Sequence, residues 1–333
     1  MIRVAIIGLG HWGKNYVRTL QTKSNVKIAC LVDESKSVLS RYESMNYELY
    51  NDYSTVLARN DVDAVVIATP ASSHYEIIKC ALENHKDVLA EKPITLCSTE
   101  ADELCMLAES GKRILMVGHT FLYNNAVLKL KELVRSEEFG KTYYLNATRT
   151  HLGLIRNDVS SVWDLAPHDI SIFNFVLGAQ PISVSAIGGF HLGTLNNDVA
   201  FINMIYPNNI IANIHVSWED SNKERTIRIV GENMRIVFND MDNLERLKIY
   251  HKGIGLNTNQ DTDGFYQIQL RDGDVVSPNI AASEPLLEMV AHFCDCIETR
   301  KTPRSTAKDG ADVVRILEAI DHSIKNYGQP VTL

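Results

Sequence analysis

The chain has 333 residues, enough for about two domains, and its 45% hydrophobic and 22% charged residues are those of an ordinary soluble globular protein with a sizeable core. The formal net charge of −8, with no basic run long enough to track a phosphate backbone, argues against nucleic acid as a main partner. No stretch approaches the roughly twenty apolar residues of a membrane span, and the N-terminus has no signal-peptide pattern. The six cysteines, Cys30, Cys80, Cys97, Cys105, Cys294 and Cys296, show neither C-x-x-C pairs nor zinc-ligand spacing, so a reducing cytoplasm and no metal site are expected.

The first element is the apolar run Val4-Ala-Ile-Ile, suited to a buried parallel strand, which ends in Gly8-Leu-Gly10-His11-Trp12-Gly13 and passes into a helix-compatible segment. G-x-G-x-x-G between strand and helix is the dinucleotide fingerprint. Its first glycine makes a tight turn, its second admits a diphosphate and its third lets helix and strand pack closely. The phosphates would rest on the N–H groups at the helix start. A second apolar run, Val26 to Val32, ends in Asp33 about twenty residues on, where the fingerprint places an acid. That carboxylate would accept hydrogen bonds from a ribose and repel a 2′-phosphate, which favours NAD over NADP. Lys36 and Arg41 nearby read as solvated charges.

Helical segments follow at Ser37 to Met45 and from Asp52, then the apolar run Asp63 to Thr69-Pro70, of the kind buried on both faces. Ligands bind beyond the carboxyl ends of strands in doubly wound sheets, which places Thr69, Pro70, Ser73 and His74 near a cofactor; His74 reads equally well as a helix-start residue. The rhythm repeats with the helix Tyr75 to Asn84, the strand Asp87 to Glu91-Lys92-Pro93, the helix Thr99 to Ser110 and the strand Arg113 to His119. Strand and helix alternating in this way imply a parallel sheet covered on both faces. Lys92 at a strand end is either a base beside a nicotinamide or a surface lysine before a proline.

From about residue 121 the texture changes, so the expected domains are 1–120 and 121–333. The helix Ala126 to Ser136 leads into period-two segments at Thr142 to Thr150, Ile182 to Phe190, Val199 to Tyr206, Ile210 to Trp218, Arg225 to Val230, Met234 to Phe238 and Leu247 to Tyr250, a largely antiparallel sheet. Asn213, His215 and Ser217 alternate with apolar residues, which leaves one sheet face mixed. Lys252 to Ser283 reads as loop with short strands, and helices Glu284 to Arg300 and Lys308 to Asn326 close the chain. In Trp163-Asp164-Leu-Ala-Pro-His168-Asp169, Asp164 and His168 lie four apart on one helix face, so the carboxylate can orient an imidazole that takes a proton from a hydroxyl. Helix capping by Asp164, with Pro167 in the first turn, is compatible with that.

Gly8 to Gly13, Glu91-Lys92-Pro93 and Asp164-x-x-x-His168 resemble, in order and spacing, the glucose-fructose oxidoreductase / inositol dehydrogenase / MocA family over essentially the whole chain. The resemblance implies an α/β protein: an N-terminal Rossmann doubly wound parallel sheet plus a C-terminal α+β domain with a large open, mostly antiparallel sheet whose exposed face makes the subunit contact of a dimer or tetramer. It implies that Lys92, Asp164 and His168 surround the reacting carbinol of an NAD-dependent dehydrogenase acting on CH–OH groups. Gly118-His119, Trp163 to Ser171, His215 to Trp218, Lys223-Glu-Arg and Val230-Gly231 are similar to the branch that oxidises the sugar C3 hydroxyl of UDP-linked N-acetylglucosamine, whose product goes to an aminotransferase. Members of that branch can carry serine where this chain has Asp164.

The candidate cofactor set is therefore Gly8, Gly10, His11, Trp12, Gly13, Asp33, Thr69, Pro70, Ser73, His74, Glu91 and Lys92, with NAD as the cofactor. The candidate substrate set is His119, Arg149, His151, Arg156, Trp163 and Asp169, with Arg149, His151 and Arg156 as possible cations for a diphosphate, each otherwise an ordinary strand-edge charge. An inositol or free-monosaccharide dehydrogenase is the neighbouring alternative, and a non-catalytic NAD- and sugar-binding sensor on the same fold is the alternative of another class.

Overall fold

The computed structural model describes the chain apart from residues 154, 157, 194, 195 and 261–265, and describes only the backbone of 255–260 and 266–269. Two compact units form: Met1–Tyr123 with Glu284–Glu318, and Asn124–Ser283 with Ala319–Leu333.

In the first unit, β1 (Ile2–Ile7), β2 (Val26–Val32), β3 (Glu48–Tyr50), β4 (Ala64–Ile67), β5 (Asp87–Ala90) and β6 (Leu115–Val117) form one sheet in the order 3-2-1-4-5-6. Every neighbouring pair is parallel. The reversal of order between β1 and its two neighbours puts the ends of β1 and β4 at the switch point where such sheets hold ligands. Residues of β4 and β5 are buried throughout, as their continuous apolar runs require. Helices α1 (His11–Gln21), α2 (Lys36–Leu39), α3 (Tyr53–Leu57), α4 (His74–Glu83) and α5 (Ser98–Ser110) connect the strands. The expected helix over 37–45 is α2 followed by a 3₁₀ stretch, Ser40–Met45.

The second unit is built on β7 (Thr142–Thr150), β8 (Ser183–Gly189), β9 (Val199–Tyr206), β10 (Ile210–Ser217), β11 (Glu224–Gly231), β12 (Arg235–Asn239), β13 (Leu247–Tyr250), β16 (Val275–Val276) and β17 (Val331–Thr332), with β14 (Gly253–Gln260) and β15 (Tyr266–Arg271) as a separate antiparallel pair. The large sheet runs 16-13-12-11-7-10-9-8-17 and is antiparallel except for the central pair β7 and β10, which is parallel. Helices α6 (Asn125–Val134) and α7 (Ser161–Leu177) cover one face, α7 against β7, β9 and β10 and α6 against β12. Leu145, Ala147, Ile202, Met204, Ala212, Ile214 and Val216 point into that core. On the other face Ile187, Phe201, Ile211 and Tyr144 are exposed, separated by Asn146, Asn203 and Asn213, so the expected alternation is present strand by strand. Within the expected loop of 252–283, residues 261–265 lie outside the described residues.

The pattern assigned the last two helices to the domain 121–333; the structure packs α8 (Pro285–Thr299) and most of α9 (Ala307–Lys325) with the first unit. The edge strand β6 explains this. Val117 N donates to Ser305 O at 3.0 Å, Met116 bridges to Thr306, and Tyr123 Oη lies 3.1 Å from Ser305 Oγ. Met289 and Phe293 of α8 are fully buried, and Arg300 Nη1 donates to both oxygens of Asp87 at 2.8 Å. A helix at a sheet edge supplies cover that the edge strand lacks. Among the described residues no helix is long and apolar enough to cross a membrane.

Candidate active site

The turn between β1 and α1 is shaped by glycine sterics. Gly8 has φ of +86°, and a Cβ there would lie 2.8 Å from the Ala68 carbonyl. A Cβ on Gly13 would come within 1.9 Å of Gly8 O. Gly10 is different: nothing lies within 4 Å of where its Cβ would be, so the space beside it is open. It caps α1 without any side-chain hydrogen bond, and no acid occupies the first turn. The free N–H groups of a helix start, the positive end of its dipole and an unobstructed backbone together fit a diphosphate. Asp33 is braced beside them, accepting from Leu9 N at 2.8 Å and from Ser35 N at 2.9 Å. His11 and Trp12 are exposed on the first turn of α1. Ser73 Oγ lies 2.9 Å from Thr69 Oγ1 and from Pro70 O, which closes the turn after β4.

At the end of β5 the expected cofactor residue Glu91 is walled in instead. It is 6% exposed, takes a 2.7 Å hydrogen bond from Tyr16 Oη and a 3.2 Å one from Lys92 N, and burial pushes its carboxyl up. Burial, reinforced by Glu91, pushes the Tyr16 phenol up as well. Tyr16 is the residue the sequence reading missed; its place three residues after Gly13, on the buried side of α1 with Val17 and Leu20, was the available signal. His74 is also buried: it is 1% exposed and both ring nitrogens face main-chain carbonyls.

Lys92 is half-buried, and its charge is felt by His119 at the end of β6. His119 is 2% exposed and neither ring nitrogen has a hydrogen-bond partner among the described residues. Burial first, and Lys92 second, push its pKa down to about 4, so it is neutral at physiological pH. A buried polar group without such a partner usually has an explanation outside the protein's own hydrogen bonds, such as water or a ligand.

In the second unit, Ser160 caps α7 by accepting from Trp163 N at 3.4 Å, and Asp164 and His168 lie one turn apart. The Asp164 carboxylate lies 3.3 Å from Arg156 Nη1 and 3.4 Å from Trp218 Nε1. Arg156 also forks onto Asp158, at 3.0 and 2.6 Å, and that pair raises its pKa. His151 is half-buried, and burial pushes its pKa down.

Three expected substrate residues are taken up by the fold. Arg149 of β7 and Asp169 of α7 form a bidentate pair, Nε–Oδ2 at 2.8 Å and Nη2–Oδ1 at 2.9 Å, with side chains 5% and 2% exposed. Burial disfavours the guanidinium's charge, but Asp169 outweighs it and the pKa is raised. Trp163 is buried, with Nε1 donating to Asp321 Oδ2 at 2.7 Å. Saturated groups this deeply buried have little left to offer a ligand, which leaves Arg156 as the remaining cationic candidate, His151 being an imidazole whose charged form burial disfavours. Among the described residues His191, Asp198 and Glu219 bring donor atoms within 4.8 Å of one another. His191 Nδ1 lies 2.9 Å from Glu219 Oε2, and Asp198 Oδ2 accepts from Leu192 N at 2.8 Å, so each of these contacts is also one the loop makes within itself.

Residues 2–119 match the family model described as an oxidoreductase family with an NAD-binding Rossmann fold, and residues 127–237 match the GFO/IDH/MocA C-terminal domain. UDP-N-acetylglucosamine 3-dehydrogenase of Acidithiobacillus ferrooxidans is 28% identical over 313 residues, covering 90% of this chain and 93% of that protein. A solved structure of UDP-N-acetylglucosamine 3-dehydrogenase from the same organism superposes with a TM-score of 0.83 at 24% identity, covering 98% of this chain and 99% of that one. The scyllo-inositol 2-dehydrogenase (NAD(+)) of Bacillus subtilis is 26% identical over 354 residues, covering 100% of this chain and 96% of that protein.

Proposed function

We propose, for a chain that belongs to the GFO/IDH/MocA oxidoreductase family and binds NAD on its Rossmann fold, that it oxidises a sugar hydroxyl, and more narrowly the C3 hydroxyl of a UDP-linked N-acetylated sugar. The observation that supports this most is His119: a neutral, buried imidazole with no hydrogen-bond partner among the described residues, beside the Lys92 charge, can donate to or accept from a sugar hydroxyl without competing for its proton. NAD, when bound, supplies the hydride acceptor. The chain's own residues supply the rest. Gly8, Gly10 and Gly13 admit the diphosphate, and Asp33 holds the ribose. Lys92 and His168, by the family resemblance, are the two groups that take or relay the hydroxyl proton; Asp164, one turn earlier on the same helix, is held by Arg156 and Trp218.

The diphosphate of a nucleotide sugar would fall to Arg156, because Arg149 is committed to Asp169. Arg156 is itself engaged by Asp158 and Asp164, and that observation favours a second reading, oxidation of inositol or a free monosaccharide, which needs no such cation. NADH formation from a panel of UDP-sugars, inositols and free sugars separates the two. Turnover of UDP-N-acetylglucosamine, with a KM raised in Arg156→Ala and no effect of that change on free sugars, supports the first. Turnover of free polyols as fast as of UDP-sugars removes it. Lys92→Ala and His168→Ala each lower kcat by about 10²–10⁴ with NAD binding retained; full kcat in both refutes the assigned chemistry.

The exposed face carrying Ile187, Phe201, Ile211 and Tyr144 is the surface we assign to self-association into a dimer or tetramer, and light scattering of Phe201→Glu should show smaller particles than the parent. The six cysteines are all free thiols, which suits a reducing cytoplasm. A 3-keto product would be a substrate for an aminotransferase.

A further inference from the structure

His74 opens α4, and both its ring nitrogens face main-chain carbonyls. Nδ1 lies 2.7 Å from Pro93 O and Nε2 lies 3.0 Å from Thr69 O. Thr69 belongs to the turn that leaves β4, and Pro93 directly follows Lys92 in the turn that leaves β5, the parallel neighbour of β4. The ring therefore spans two loops at the carboxyl ends of adjacent strands. Carbonyl oxygens only accept, so each contact calls for a ring N–H: imidazolium supplies both, the neutral ring one. A buried carbonyl left without a donor is costly, which gives the bridge its strength.

The sheet cannot hold the Lys92-Pro93 turn by itself. The last ladder bond between these strands is Glu91 N to Ile67 O at 2.9 Å, and Pro93 has no N–H with which to continue it. Lys92 N is directed to the side chain of Glu91.

We propose that His74 is a positioning residue for Lys92: by tying Pro93 O to Thr69 O it fixes the direction in which the lysine leaves β5, and it touches neither cofactor nor substrate. This rests on the assignment of Lys92 to proton transfer.

The test compares His74→Ala and His74→Gln, which keeps one N–H donor, with Lys92→Ala and the double variant His74→Ala/Lys92→Ala. Four quantities are measured: NAD affinity by calorimetry, kcat with its pH profile, urea stability, and the rate at which an amine-reactive ester labels Lys92, read by peptide mass spectrometry in the protein alone. Displacing a catalytic group by about 1 Å typically costs about 10²-fold, so His74→Ala should lower kcat roughly 10- to 100-fold with the NAD dissociation constant nearly unchanged. The pH profile and the Lys92 labelling rate should shift, His74→Gln should fall between parent and His74→Ala, and in the Lys92→Ala background His74→Ala should cost nothing further in kcat.

A loss of NAD affinity at unchanged kcat would make His74 a cofactor ligand and overturn the proposal. Lower stability with kcat per folded molecule, pH profile and labelling all at parental values would overturn it too. If His74→Ala does not fold, His74→Gln decides by the same readouts. Full kcat in Lys92→Ala refutes the role of the lysine itself, whereas loss in Lys92→Ala with none in His74→Ala removes only the positioning role.

Discussion

The pair Arg149 and Asp169 separates a structural role from a substrate role. Both side chains are almost wholly out of water, and the two parallel hydrogen bonds of 2.8 and 2.9 Å saturate the carboxylate from one side. Asp169→Asn takes the bidentate carboxylate from a buried guanidinium, and breaking a buried pair in this way typically costs about 3–5 kcal/mol. Against a total stability of roughly 5–15 kcal/mol this is a large loss, readable as a lower urea midpoint. Trp163 and Trp218 are buried in the same unit, so their fluorescence reports its unfolding directly. Replacing both partners by apolar residues, Arg149→Met with Asp169→Leu, should return stability to within about 1 kcal/mol of the parent, because neither charge is then stranded. Additive losses in that double variant would refute the reasoning. So would an Asp169→Asn variant with the parental midpoint and a raised KM for a UDP-sugar, since the guanidinium would then be serving the substrate.

The folded pKa of His119, about 4, lies below the usual histidine value, so the unfolded chain binds the proton first. The associated stability is present above about pH 6.5 and is lost as pH falls through that window to about 4, by up to about 3 kcal/mol; His119→Gln should flatten that part of the urea-midpoint-against-pH curve. Gly10→Ala should weaken NAD binding with little change in thermal stability, because its Cβ meets no protein atom. Gly13→Ala should lower stability as well, because its Cβ meets Gly8 O; equal melting temperatures in the two variants would contradict the sterics. Asp33→Asn should narrow the preference for NAD over NADP in paired calorimetric titrations, since a repulsive charge is removed; an unchanged ratio would contradict the placement of the ribose.

Local chemistry made much of this legible beforehand. A strand that ends in spaced glycines can only make a few turns, and Gly8 with its positive φ and Gly13 with its crowded Cβ occupy the positions that such a turn dictates. Buried parallel strands announce themselves as unbroken apolar runs, which is why β4 and β5 lie where the pattern placed them. The three-residue strand β3 escaped because so short a segment carries no period. Amphipathic helices such as α8 show that they have an apolar face, without showing which sheet it will cover. The same limit applies to the charged residues. Arg149 and Asp169, twenty residues apart, look like ligands until a strand and a helix bring them face to face, and Glu91 looks like a cofactor contact until Tyr16 reaches it from α1. Pairing across elements is a tertiary fact, and a single chain read in order does not contain it.

The return of α8 and most of α9 to the first unit has a consequence for biosynthesis. β6 receives Ser305 and Thr306 only after the whole of Asn124–Ser283 has left the ribosome, and at about 5–20 residues per second that interval is roughly ten to thirty seconds. Until then the nascent nucleotide-binding sheet carries an open edge and an apolar surface that α8 will later cover, and it must be kept from pairing with other chains during that time. Folding in order of emergence is therefore closed to this protein: the unit begun first is among the last to be finished.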